Sequence, residues 1–171
     1  MATEMEFPVH IPFVDQLGFE LLKFENGEAE IGLTLRDELC NSWSVAHGGV
    51  TMTLLDVAMA HAARSSSIKP GGQPGGTGVV TIEMKTSFMR PGLGRLIARG
   101  KLLHATASLA FCEGSVVDAN GELLASASGT FKYLQGLPAG GRKIHRSNAS
   151  GWPISASASR ICRSRSRFGG E

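Results

Sequence analysis

Between Val50 and Ala63 the chain carries a single charge, Asp56, in a run of small and apolar residues that opens with His47-Gly48-Gly49 and closes near Arg64. A helix-forming segment that is apolar on every side belongs inside a core, so the remainder of the fold has to be whatever covers it. A lone carboxylate in such a place carries a large desolvation cost unless it has partners or a raised pKa. Two readings follow. Asp56 is either a structural acid satisfied at the end of a pocket, or a buried catalytic carboxylate.

The flanking residues supply the cover. Residues 19–24 and 29–35 are short strand-like runs separated by Glu25-Asn26-Gly27, and Asn-Gly is a strong hairpin signal. The apolar helix is expected over 48–65, followed by a loop over 66–78 rich in Pro and Gly. Four further strands are expected at 79–89, 95–104, 108–118 and 123–133. Their linkers are too short for parallel crossovers, which predicts an antiparallel meander. One long helix and about six antiparallel strands make an α+β domain in which the sheet wraps the helix.

Charge divides the chain. Residues 1–134 hold ten basic and fourteen acidic residues, whereas 135–171 hold seven and one. The second segment is rich in Gly, Ser and Arg without sustained periodicity, and it is read as a disordered or loosely attached basic tail on a domain spanning 1–134. It has no aromatic interleaving and no recognised module, so nucleic-acid binding is not expected. No stretch approaches the roughly 20 apolar residues of a membrane span. The first residues, MATEMEFPVHIPF, lack the basic start of a secretory signal. Cys40, Cys112 and Cys162 are widely spaced and odd in number, which suggests neither a disulfide framework nor a zinc site. A cytoplasmic location is the expectation, with no metal.

His47-Gly48-Gly49 with Asp56 nine residues after the histidine, then VVTIEMKTSFMRP from Val79 to Pro91, then SLAFCEGSVVDANGELLASASGTF, resemble the hotdog-fold acyl-CoA thioesterases, in particular their phenylacetate-pathway-like (PaaI-like) branch. The resemblance covers about residues 13–134. It implies a hotdog fold and hydrolysis of a thioester to a carboxylic acid and coenzyme A. Coenzyme A is part of the substrate, and no separate cofactor is implied. It also implies a homodimer or a dimer-of-dimers tetramer.

The residues suit that chemistry on their own terms. Thioester hydrolysis needs donors for a developing oxyanion and a carboxylate to attack or to activate water. Backbone N–H groups at a helix N-terminus are unsatisfied and favour negative charge. Gly48, without a Cβ, lets a substrate approach that backbone, so its N–H is assigned as the main oxyanion donor, with Gly49 beside it. Gly48-Gly49 could instead serve only tight packing. Asp56 is assigned as nucleophile or general base. His47 either orients the loop or thioester, or caps the helix. Asn41 matches a polar position that contacts substrate in some relatives; otherwise it turns the loop before Trp43. Thr81 falls on the strand where relatives place a hydroxyl that positions the acid or its water. Arg90, and less directly Arg95, Arg99 and Lys101, could reach the phosphates of coenzyme A.

Gly48 and Asp56 are eight residues apart on one helix, about 12 Å of rise. One carbonyl carbon must lie about 3 Å from both the attacking and the stabilising group, so one chain cannot supply both. Two antiparallel helices related by a two-fold axis could. Two other functions are weighed beside the thioesterase: a hotdog dehydratase or hydratase, and a non-catalytic acyl-CoA-binding or regulatory module.

Overall fold

The computed structural model describes residues 5–66 and 78–134. The 66–78 loop lies outside them except for its ends, and the basic segment 135–171 lies outside them entirely. Helix α1 (Pro12–Leu17) precedes a hairpin of β1 (Phe19–Glu25) and β2 (Glu28–Thr34). A single 3-10 turn, Asp37–Leu39, leads to α2 (Gly48–Ser66). Strands β3 (Gly78–Phe88), β4 (Arg95–Ala105), β5 (Leu109–Asp118) and β6 (Leu123–Leu134) follow. The hairpin turns at Asn26 and Gly27, both at positive φ, the primed turn geometry that Asn-Gly favours.

The six strands form one antiparallel sheet in the order β1-β2-β4-β5-β6-β3, and α2 touches every strand of it. Alternation in β6 puts Ala125, Ala127, Gly129, Phe131 and Tyr133 on the helix side, all buried. Gly100 of β4 lies so close to α2 that a Cβ there would meet the Ala58 carbonyl, which brings strand and helix backbones nearly into contact. This is the α+β hotdog arrangement expected from the sequence.

Three features differ from the expectation. Helix α1 is not among the elements read from the sequence, although Pro12 starts it and Gly18 ends it at φ 72°, as helix-end chemistry favours. The last four strands are not a simple meander. Strand β3 pairs with β6 at the sheet edge, while β4 pairs with β2 and β5. Residues 89–94 therefore cross the open end of the sheet. Arg90 N–H bonds to Leu124 O, Ala46 N–H to Gly92 O, and Leu35 N–H to Gly94 O along the way. Finally, α2 is not covered all round. Met52, Thr53, Asp56 and Ala60 form an i, i+1, i+4, i+8 stripe of exposed and half-buried residues that the sheet leaves open.

Candidate active site

Asp56 stands on that open stripe, half-buried rather than buried as the sequence suggests. Its Oδ1 accepts a hydrogen bond of 2.6 Å from the Thr81 hydroxyl. Burial raises its pKa above the ordinary carboxylate value, and the Thr81 bond partly offsets that rise. Around it lies a cleft of about 640 Å³ between α1, α2 and β3, with apolar walls that include Phe13, Val14, Met52, Val79 and Met84.

Thr81 reaches Asp56 through an irregularity in β3. Its pairing with β6 slips between Thr81 and Glu83, leaving Ile82 as an extra residue. Val79 and Thr81 pair with Tyr133 and Phe131, and beyond the slip Met84, Thr86 and Phe88 pair with Gly129, Ala127 and Ala125. All of these β6 partners are buried on the helix side. Without the bulge, Thr81 and Phe88 would fall on opposite faces of the strand. Sequence reasoning misses this device, whose only trace is Ile82 breaking the two-residue alternation.

At the other end of α2, His47 is the cap. Its Nδ1 accepts the Gly49 N–H at 3.0 Å, and its carbonyl accepts from Val50 and Thr51. That bond puts the proton of the neutral ring on Nε2. The two glycines separate at this point. A Cβ on Gly49 would press on His47 Nδ1 at 3.2 Å, so packing against the cap accounts for Gly49. A Cβ on Gly48 would meet only the Phe88 ring, at 3.6 Å, an ordinary contact. Packing within the chain therefore does not require glycine at 48, although glycine is a weaker helix former than alanine.

Gly48 opens on a second chamber, of about 370 Å³, which Asn41, Trp43 and Arg90 also line. Asn41 Oδ1 accepts the Trp43 N–H at 2.9 Å and so turns the loop. Arg90 Nη1 donates to Leu123 O at 2.8 Å, and Nε lies 3.7 Å from Glu122. Arg95 and Arg99 are held elsewhere, by Glu20 and Glu30 respectively. The expected site residues thus form two groups in one chain, Asp56 with Thr81 in one cleft and Gly48 with Asn41 and Arg90 in the other. His61 is buried and lines the Asp56 cleft, whereas His104 is exposed against Phe111. Among the described residues no group of three or more His, Cys, Asp and Glu could hold a metal ion. No described helix is long and apolar enough to cross a membrane.

A family profile described as "Thioesterase superfamily" matches residues 44–125, which include His47, Gly48, Asp56 and Thr81. The chain is 30% identical to the protein VNG_1336C of Halobacterium salinarum, in an alignment covering 70% of this chain and 82% of that one. It is 29% identical to the medium/long-chain acyl-CoA thioesterase YigI of Escherichia coli K12, over 76% of this chain and 89% of that protein. Among solved structures it resembles a mutant of the phenylacetic acid degradation protein PaaI from Thermus thermophilus. That match has a TM-score of 0.62 and 28% identity, and it covers 72% of this chain and all of the other. A carboxylate in an apolar cleft and an open helix N-terminus are thus set in a sheet-wrapped helix that thioester-cleaving enzymes share, and the chain belongs to the thioesterase superfamily as a hotdog-fold thioester hydrolase.

Proposed function

We propose that the chain hydrolyses an aryl- or medium-chain acyl-CoA to the free acid and coenzyme A, at a site built between two copies of itself. The observation that carries this reading is the Asp56 carboxylate. It lies in an apolar cleft with Thr81 on one oxygen and a pKa shifted toward neutrality, as a base needs. Asp56 takes a proton from water as the oxygen attacks the thioester carbon. The oxyanion rests on the Gly48 N–H, and collapse of the adduct expels the thiolate, which recovers the proton from Asp56. Asp56 acting instead as nucleophile would form an anhydride, and water opening it at the Asp56 carbon in a single turnover in ¹⁸O-water would leave label in the side chain, an outcome that the general-base route never gives.

The two-copy arrangement has its own support. Strand β3 forms one edge of the sheet, eleven residues long, with Val80 and Ile82 exposed along it. Such an edge is a template for pairing with another chain. Beside it Phe13 and Met52 are exposed around Asp56. A second copy laid edge to edge would cover these residues and bring its own Gly48 toward this Asp56. The test is thiol release from a panel of acyl-CoAs by wild type and Asp56→Asn. Loss of a proton acceptor at the attack step is expected to cut turnover about 10²-fold or more without unfolding. Near wild-type release by a folded Asp56→Asn protein would remove the acid from the mechanism, and binding without turnover by wild type would favour a non-catalytic module.

A further inference from the structure

We propose that Phe88 is a positioning residue for the reaction: its ring keeps water from the Gly48 N–H while that group holds the oxyanion. This rests on the proposed role of Gly48 as oxyanion donor. Phe88 ends β3 and pairs with Ala125, which is buried on the helix side, so its ring turns toward the start of α2. The irregularity at Ile82 puts it on that side together with Thr81. The strand end is held in place. Met89 and Arg90 both donate their N–H groups to Leu124 O, at 2.8 and 3.1 Å, and Arg90 Nη1 donates to Leu123 O at 2.8 Å. Phe88 Cζ and Cε1 lie 3.6 and 3.7 Å from the place a Gly48 Cβ would take. Among the described residues no other side chain comes within 4 Å of that place, the chain neighbours of Gly48 apart.

Phe88 is 54% exposed, and Trp43 and Met89, at 82% and 47%, stand on the same chamber wall. Large apolar groups are thus gathered, open to a ligand, around a polar helix end, and of the three Phe88 is the one against Gly48. The consequence is electrostatic. Water competes for a helix-start N–H and screens it. An apolar neighbour removes part of that competition and lowers the local dielectric, which strengthens the bond to a charged oxygen more than the bond to a neutral carbonyl. The gain therefore appears in the transition state and acts on kcat rather than on substrate affinity. The step from a neutral to a charge-assisted hydrogen bond corresponds to about tenfold in rate, which sets the scale of the effect.

Two measurements test the ring, one of them independent of turnover. Thiol release from acyl-CoA is measured for wild type, Phe88→Ala and Phe88→Leu, with folding checked by circular dichroism and assembly by sedimentation. Phe88→Ala admits water and should lower kcat about tenfold while KM changes less than about threefold. Phe88→Leu keeps an apolar cover and should stay within about threefold of wild type in both. If Phe88→Ala does not fold, Phe88→Gln, which is polar and closer in size, takes its place. The second probe is a ketone analogue of acyl-CoA with a methylene for the sulfur and ¹³C at the carbonyl, which binds but cannot be hydrolysed. Its C=O stretch should fall on binding to wild type and move back toward its value in water in Phe88→Ala. An unchanged kcat in folded Phe88→Ala would overturn the proposal, as would a loss that follows dissociation of the assembly or one that Phe88→Leu shares in full. A stretch that shifts on binding but ignores Phe88 would remove Phe88 and leave Gly48 as the donor. A stretch unmoved in wild type would sink the donor role of Gly48, and Phe88 with it.

Discussion

His61 offers a stability experiment whose size follows from its surroundings. It sits on α2 at 2% exposure, with Nδ1 2.8 Å from Val57 O and the rings of Phe7 and Phe24 edge-on at 5.3 and 5.9 Å. Burial pushes its pKa down from 6.5 to about 4, and the nearby Arg64 charge acts in the same direction. Between those two values the unfolded chain binds a proton at His61 and the folded chain does not. Stability is therefore complete above pH 6.5 and falls as the pH drops toward 4, below which this residue adds no further loss. At 1.36 kcal/mol per pKa unit the full loss is about 3 kcal/mol, most of it reached by pH 4.5. Other acids titrate in the same window, so the comparison is a difference. Urea unfolding of wild type and His61→Phe is measured at pH 7 and pH 4.5, at one protein concentration. Phenylalanine keeps the aromatic packing and cannot take up a proton. The wild type should lose about 2–3 kcal/mol more than the variant on acidification. Equal losses would mean that His61 is protonated in the folded protein or that the helix opens around it, and the burial argument would fail.

Three further outcomes bear on the site. Mixing Asp56→Asn with Gly48→Pro, which loses its N–H at a helix position that tolerates proline, should restore about one quarter of wild-type thiol release, since half of the dimers would carry one intact site of two; verified heterodimers that stay inactive would place the whole site in one chain. Thr81→Val removes the bond that opposes the raised Asp56 pKa, so the acid limb of the kcat profile should move to higher pH, and an unmoved limb would separate Thr81 from the ionisation of Asp56. The Thr86 hydroxyl is buried without a hydrogen-bond partner among the described residues, so the near-isosteric Thr86→Val should raise unfolding stability by about 1 kcal/mol in denaturant titrations; a loss of stability instead would show that the hydroxyl has a partner.

The helix and its sheet were legible because burial imposes a period: alternate residues of β6 face the helix, and α2 carries almost no charge. Strand order was not, since a six-residue connection can turn back as a hairpin or cross the end of a sheet, and the choice depends on which strand β4 pairs with. The coverage of α2 is illegible for a related reason. Thr53, Asp56 and Ala60 look like core residues in a sequence, yet the sheet leaves that stripe of the helix open.

The HGG triplet shows where sequence alone stops. Gly48 and Gly49 are the same residue in adjacent positions, and helix-end chemistry could explain either. Only the space around each separates them: His47 crowds one, and the other faces a cavity with room for the side chain it lacks. A glycine that its own chain does not need is best explained by something outside the chain that does. In this fold the candidate is a thioester oxygen, and Gly48→Ala tests it, since the added methyl fits the protein and should fail to fit the substrate. A Gly48→Ala protein with unchanged melting and unchanged turnover would show that no substrate needs the space this glycine leaves, while its N–H, which alanine keeps, is tested by Gly48→Pro.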